Sequence, residues 1–261
     1  MSKLIAGNWK MSCFGVDAIH LAENIRDAVA ANNEVLDGAD LLICPPTLYI
    51  GIVQTVLGPE SGISVGGQDC AVAANGAHTG DISAEMLVDA GCEYVILGNS
   101  ERRQNHGESD KLIADKTARA YEEGLNVILC VGETEAERDA GNAEAVVGAQ
   151  IDAANFDGAD YDKITIAYEP VWAIGTGKTA SPDDVKAMHG FIRGKLQEKL
   201  AYGAEIRILY GGSVKPDNAE SLLSLPNVDG ALIGGASLNA ESFMAIAKAA
   251  HKIEEQECAA E

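Results

Sequence analysis

Eight short apolar runs recur along the chain about every thirty residues, and this recurrence limits the possible folds more than any other feature. The runs are continuously hydrophobic rather than alternating, which is typical of strands buried on both faces of a parallel sheet. They cover residues 4–6, 41–44, 63–65, 94–97, 127–131, 164–168, 206–210 and 231–233. The sequence therefore predicts eight buried parallel strands.

Amphipathic stretches lie between these runs, for example at 16–30, 112–123 and 185–200, with apolar residues at helical spacing. The segment Ser-Pro-Asp-Asp at 181–184 has the composition of a helix start, with a cap, a proline and two acids. Strands that alternate with helices predict a single (β/α)₈ barrel domain over residues 1–261. A doubly wound open sheet is the alternative. The barrel is favoured because the Gly-rich and polar motifs fall just after the strands.

The chain carries 40 acidic and 19 basic residues, a formal net charge of −21. This balance argues against nucleic acid or an anionic membrane as a partner, because both require a basic surface.

The six cysteines form no C-x-x-C pair and the histidines form no metal-ligand spacing, so no metal site is predicted. Neither a signal peptide nor a membrane span is recognisable, and we expect a cytoplasmic protein. The five histidines are scattered, and we expect surface positions for them.

Two polar motifs follow predicted strands in the first half of the chain. In residues 7–11 (Gly-Asn-Trp-Lys-Met), Asn8 can bond a substrate oxygen and Lys10 can neutralise developing negative charge. Taken alone, this motif favours an ordinary strand end with an exposed lysine. Residues 97–103 (Leu-Gly-Asn-Ser-Glu-Arg-Arg) place Glu101 where it can pair with Lys10. A solvated helix start is the alternative interpretation there.

Residues 167–180 carry the most informative motif, Ala-Tyr-Glu-Pro-Val-Trp-Ala-Ile-Gly-Thr-Gly-Lys-Thr-Ala. Glu169 ends a buried strand, where desolvation can raise its pKa into the range suited to proton abstraction. The apolar segment and glycines that follow are typical of a lid. Residues 175–180 also match a dinucleotide-binding fingerprint, a weak match when it stands alone. A P-loop reading fails because Trp172 occupies the position of a required glycine.

Glycine pairs follow the last two strands, in Tyr-Gly-Gly-Ser-Val at 210–214 and Ile-Gly-Gly-Ala-Ser at 233–237. Glycine lets backbone amides approach an anion closely. Barrels commonly bind phosphate at these two loops, and the pairing favours a phosphate site over two simple turns.

Together, these five motifs resemble the triosephosphate isomerase family in order and spacing, over nearly the whole chain. The resemblance implies an isomerase that interconverts dihydroxyacetone phosphate and D-glyceraldehyde 3-phosphate through an enediolate, a reaction of glycolysis and gluconeogenesis. It implies Glu169 as the base, Lys10 as the electrostatic partner of the substrate, Asn8 as a supporting donor and Glu101 as the residue that holds Lys10. It also implies a lid over residues 170–180.

The same resemblance implies that the phosphate lies against the amides of four residues and that neither a metal nor an organic cofactor is needed. The phosphate-binding residues would be Gly175, Ser213, Gly234 and Gly235. A homodimer is implied as well, with the loop 68–81, including Thr79, reaching towards the active site of the partner.

One residue departs from the family pattern: Asn99 stands where the family has a histidine. In this family the neutral imidazole polarises the substrate carbonyl, and it can also move a proton between the two substrate oxygens. An asparagine amide can donate a hydrogen bond but cannot act as an acid or base at neutral pH. We therefore expect a slowed isomerase.

Two other functions stay open from the sequence. The first is a catalytically impaired descendant that binds a triose phosphate or a protein partner, against which the intact Glu169, Lys10 and lid motif argue. The second is a nucleotide-dependent enzyme, suggested only by the match at 175–180.

Overall fold

The computed structural model describes residues 2–156, 160–174 and 178–259. Its eight strands form one closed, fully parallel barrel in the order β1 to β8. The strands are β1 Lys3–Asn8, β2 Ala39–Cys44, β3 Ile63–Gly67, β4 Tyr94–Leu97, β5 Asn126–Val131, β6 Ile164–Tyr168, β7 Arg207–Tyr210 and β8 Gly230–Ile233. All eight predicted strands are confirmed, and closure of the barrel rules out the doubly wound alternative.

Helices surround this barrel. Within the described residues they are α1 Gly15–Ala30, α2 Ile50–Leu57, α3 Ala84–Asp89, α4 Ser100–His106, α5 Asp110–Glu122, α6 Glu135–Asp139, α7 Ala143–Ala153, α8 Pro182–Lys199, α9 Ala219–Leu223 and α10 Ala240–Cys258. Short 3₁₀ segments occur at Asn33–Asp37, Thr47–Tyr49, Tyr161–Lys163, Val171–Ala173 and Gly235–Leu238. The three predicted helical stretches correspond to α1, α5 and α8.

Helix α8 begins where the sequence predicts. The Ser181 hydroxyl accepts a hydrogen bond from the Asp184 N–H at 3.2 Å, and the Asp184 carboxylate accepts one from the Ser181 N–H at 3.1 Å. This reciprocal capping box satisfies two backbone donors that a helix start leaves unpaired, and Pro182 adds a preset φ angle.

The core has two layers. Inside the barrel, small and branched side chains such as Ala6, Leu42, Ile128 and Leu209 fill the interior, so the barrel is packed and not a pore. A larger apolar layer lies between the outer faces of the strands and the helices. Because the interior is filled, a ligand can reach the barrel only at its ends.

The prediction of surface histidines is wrong for His189, which is fully buried. Its ring lies between Tyr168 and Tyr210, with centroids 5.9 and 6.3 Å away, and its Nδ1 lies 2.8 Å from the Asn227 carbonyl oxygen. Burial lowers the pKa of His189 to about 4, so the ring is neutral. The residue falls on the same face of α8 as Val185 and Ile192, and this apolar spacing was the available sequence signal.

Candidate active site

A cavity of about 790 Å³ opens at the carboxyl ends of the strands. Its wall contains seven of the nine predicted site residues, contributed by four strand ends and the helix that follows β4. They are Asn8, Lys10, Glu101, Glu169, Ser213, Gly234 and Gly235. Asn99 lies behind this wall, and Gly175 lies outside the described residues. Parallel strands in a closed barrel bring these distant segments of the chain to one face.

Lys10 and Glu101 form the ion pair that the sequence predicts, with Lys10 Nζ 2.5 Å from Glu101 Oε1. The Lys10 backbone has a φ of 53°, which is uncommon for a residue other than glycine. Two hydrogen bonds hold this backbone. The Lys10 N–H donates to Asn8 Oδ1 at 2.9 Å, and Gln68 Nε2 donates to the Lys10 carbonyl at 2.9 Å. The ammonium group is thereby directed into the cavity.

Glu169 directly follows β6 and is only 4% exposed. Its carboxylate accepts two hydrogen bonds, from Asn99 Nδ2 to Oε1 at 2.6 Å and from the Ser100 N–H to Oε2 at 2.7 Å. Desolvation raises its pKa to about 7, although the Ser100 hydrogen bonds and the charge of Lys10 oppose the shift. A carboxyl group with a pKa close to neutrality is suited to both accepting and returning a proton.

Space for the Glu169 side chain is left by a neighbouring glycine. A Cβ at Gly211 would lie 2.9 Å from Glu169 Cγ, closer than side-chain carbons pack. Likewise, a Cβ at Gly234 would lie 3.1 Å from Lys10 Cε. Nothing within 4 Å would meet a Cβ at Gly235, so the backbone there is open to the cavity. The glycine pairs after β7 and β8 therefore make room for the two charged side chains as well as exposing backbone.

Residues 170–174 and 178–180 of the predicted lid are described, and contacts at both ends attach them to the loop after β5 and to α6. Trp172 Nε1 donates to Glu133 Oε1 at 2.9 Å, and the Arg138 guanidinium lies 4.7 Å from the centre of a Trp172 ring. Lys178 forms an ion pair with Glu135. Lid movement stays a prediction.

Sequence reasoning missed Glu133, which is fully buried and also accepts a hydrogen bond from the Tyr168 hydroxyl at 3.0 Å. The available signal was its position two residues after the end of β5, comparable to those of the other charged site residues. Gln104 and Lys215, which line the cavity, were missed as well. Lys215 follows the glycine loop after β7, and a cation beside such a loop was a usable signal.

Among the described residues, no cluster of three or more His, Cys, Asp or Glu side chains has the arrangement of a metal site. Within the same residues, no helix is sufficiently long and apolar to span a membrane. Five cysteines are free thiols: Cys13 is half-buried, and Cys44, Cys70, Cys92 and Cys130 are buried as core residues.

The buried Glu169 carboxyl has a consequence for stability. Its folded pKa of about 7 exceeds the usual 4.5, so the folded protein binds this proton more tightly than the unfolded chain does. The free energy of unfolding therefore falls as pH rises from about 4.5 to about 7. We expect Glu169→Gln to be more stable than the parent at pH 8, by up to about 3 kcal/mol, and no more stable at pH 4.

Urea unfolding at both pH values measures this difference. Glu144→Gln, on an exposed position of α7, is the matched control. Equal pH dependence of the two variants would contradict the effect assigned to burial of Glu169.

A closed (β/α)₈ barrel with a cavity at the carboxyl ends of its strands, into which charged side chains project, defines a TIM-barrel enzyme. Comparison with known proteins then identifies the family. The family model for triosephosphate isomerase matches residues 3–250. The triosephosphate isomerase of Granulibacter bethesdensis is 53% identical over 252 residues, covering 95% of this chain and 99% of that protein.

The triosephosphate isomerase of Xanthobacter flavus is also 53% identical, over 94% of this chain and 96% of that protein. Among solved structures, the triosephosphate isomerase of Bartonella henselae superposes with a TM-score of 0.87 at 41% identity. That match covers 95% of this chain and 99% of the other. The chain belongs to the triosephosphate isomerase family.

Proposed function

We propose that this isomerase interconverts dihydroxyacetone phosphate and D-glyceraldehyde 3-phosphate through an enediolate, with Glu169 as the base. The observation that carries the assignment is the buried Glu169 carboxyl, with a pKa of about 7, in the wall of the cavity that the Lys10 ammonium enters. Glu169 removes a proton from the carbon beside the carbonyl and returns it to the neighbouring carbon. The reaction is a step of glycolysis and gluconeogenesis.

Lys10 supplies the positive charge that stabilises the developing enediolate oxygen. Its ion pair with Glu101 and the backbone contacts of Asn8 and Gln68 support this role, because a preorganised charge needs no rearrangement during the reaction. The amides of Ser213, Gly234 and Gly235 bind the phosphate. Their exposure to the cavity supports this assignment, and Gly175 is proposed as the fourth contact from the family resemblance alone.

The reaction is slow because Asn99 replaces the histidine of the family. Its amide can donate a hydrogen bond but cannot move a proton between the substrate oxygens. Loss of a positioned general acid lowers rates by about 10²–10⁴-fold.

A coupled assay of isomerisation in both directions tests the proposed activity. We expect slow but measurable turnover, and a fall in kcat/KM below about pH 7 as Glu169 becomes protonated. Binding of a phosphorylated substrate analogue without turnover would support the catalytically impaired descendant instead. Titrations with ATP and NAD test the nucleotide hypothesis, and we expect no binding.

We propose a cytoplasmic protein with one domain over residues 1–261. The closed barrel and a family match to residues 3–250 support the single domain. The free cysteines are in keeping with a reducing compartment. The net charge of −21 argues against nucleic acid or an anionic membrane surface as a partner, whereas backbone N–H groups can still hold a small anionic metabolite locally.

A homodimer is proposed from the large apolar side chains on the loops that follow β1 and β2. Met11 is 98% exposed, Phe14 80% and Leu48 87%. Exposed apolar side chains grouped in this way mark interaction surfaces. The loop 68–81 adjoins them, since Gln68 donates to the carbonyls of Lys10 and Cys44 at 2.9 Å, and its tip, including Thr79, is exposed.

Sedimentation equilibrium is expected to give twice the mass of one chain. Leu48→Glu should dissociate the dimer, because burying a charge in an apolar interface is unfavourable. Tyr161→Glu is the matched control, since Tyr161 is 46% exposed but precedes β6 at the opposite end of the barrel. A monomeric parent protein, or dissociation by both substitutions, would contradict the proposed interface.

A further inference from the structure

The Asn99 side chain faces Glu169 and not the cavity. It is only 6% exposed and does not belong to the cavity wall, although Ser100 and Glu101 beside it do. Asn99 Nδ2 lies 2.6 Å from Glu169 Oε1, a contact between residues 70 positions apart in the chain. A hydrogen bond to an ionised acceptor at this distance is among the stronger hydrogen bonds in proteins.

The orientation of this amide is determined by helix α4. Asn99 is the N-cap of α4, and its Oδ1 accepts a hydrogen bond from the Glu101 N–H at 3.1 Å. A flipped amide would place the NH₂ group against that N–H, so two donors would face each other. The flip would also turn the amide oxygen towards the Glu169 carboxylate. Both partners therefore require the NH₂ group to point at Glu169.

The amide oxygen accepts from the start of the helix, and the amide nitrogen donates to Glu169. The N–H that is bonded to Glu169 can reach a substrate oxygen only if the carboxylate gives it up.

We propose that Asn99 is a positioning residue for the base: it holds one oxygen of the ionised Glu169 carboxylate while the Ser100 N–H holds the other. This inference rests on the proposed role of Glu169 and adds to the role of Asn99 as a weak donor to the substrate.

Removal of the hydrogen bond between Asn99 and Glu169 should change the pKa of Glu169 in the protein without substrate. The bond stabilises the ionised carboxylate, so its loss raises the pKa of Glu169. Charged or titratable groups that act on Glu169 include Lys10, Glu101 and Cys130, and a substitution at Asn99 removes none of these three. Asn99→Ser is the informative variant, because serine keeps the helix cap but cannot reach Glu169.

The pKa of Glu169 can be measured by NMR on protein labelled with ¹³C at the glutamate carboxyl carbons, with Glu169→Gln to assign the signal. We expect Asn99→Ser to move the titration upward by about one pH unit, and the acidic limb of kcat/KM to move with it. Asn99→Thr, which also caps helices, is a second variant with the same expected direction. Asn142→Ser is the matched control, because Asn142 is the N-cap of α7 and lies outside the cavity wall, and no shift is expected.

An unchanged titration in Asn99→Ser and Asn99→Thr, or an equal shift in Asn142→Ser, would overturn the positioning role. The measurement needs no turnover. Full activity of Glu169→Ala would overturn the proposed function of Glu169 as base, while the titration would still decide whether Asn99 holds its carboxylate. The two failures are therefore distinguishable.

Discussion

Glu169→Ala is expected to lower kcat/KM for isomerisation by about 10²–10⁴-fold in both directions. The substitution removes the carboxylate that accepts the proton, and in the described residues no other carboxylate is placed in the same way. Glu101, the other glutamate in the cavity wall, is paired with Lys10 at 2.5 Å. A coupled assay at pH 8 gives the readout, because Glu169 is ionised there in the parent protein.

Binding of a phosphorylated substrate analogue should change little in this variant, since Glu169 is not among the residues proposed to bind the phosphate. That separation of binding from turnover is the control for a folded cavity. Glu169→Asp keeps a carboxylate but shortens its reach, and should give an intermediate rate. Retention of most of the activity by Glu169→Ala would refute the proposed base.

Asn99→His is expected to raise kcat/KM by about 10²–10⁴-fold, the usual contribution of a positioned general acid or base. The surroundings suit an imidazole. The Glu101 N–H, which now donates to Asn99 Oδ1 at 3.1 Å, can donate to a histidine Nδ1 and leave Nε2–H as a donor to the substrate. A neutral imidazole can also carry a proton between the two substrate oxygens, which the amide cannot.

Asn99→Gln is the matched control, because it lengthens the side chain but keeps an amide, and no gain is expected from it. Comparison of kcat with KM locates the effect, which should lie mainly in kcat. If the histidine variant gains nothing while the analogue still binds, the chain is a catalytically impaired binding descendant. The mechanism proposed for Glu169 and Lys10 would then be wrong.

Most of the fold was predictable because its signals are local. Continuous apolar runs indicate strands buried on both faces, and the eight observed strands lie within a few residues of those runs. The capping sequence at Ser181 fixed the start of α8 for the same reason, since a cap depends on neighbours three residues away. Closure of the barrel was different. It depends on the pairing of β1 with β8 across the whole chain, which no local pattern reports.

The sequence predicted most residues of the site, but it did not predict all of the contacts between them. Polar motifs after the strands identified Lys10, Glu101 and Glu169, because the ends of parallel strands meet at one face. The expected pairing of Lys10 with Glu101 is confirmed across 91 positions of sequence. The contact of Asn99 with Glu169, at 2.6 Å across 70 positions, has no signal in the sequence.

Local patterns specify the eight strands, the helices between them and the residues at the strand ends. The distances between those residues, and the partner that each donor takes, depend on the folded barrel. The burial of His189 and the contact between Asn99 and Glu169 are two examples. Strand and helix signals depend on near neighbours, so the sequence reports them directly. The partners in a buried hydrogen bond, in contrast, depend on which groups the closed barrel brings within about 3 Å of one another.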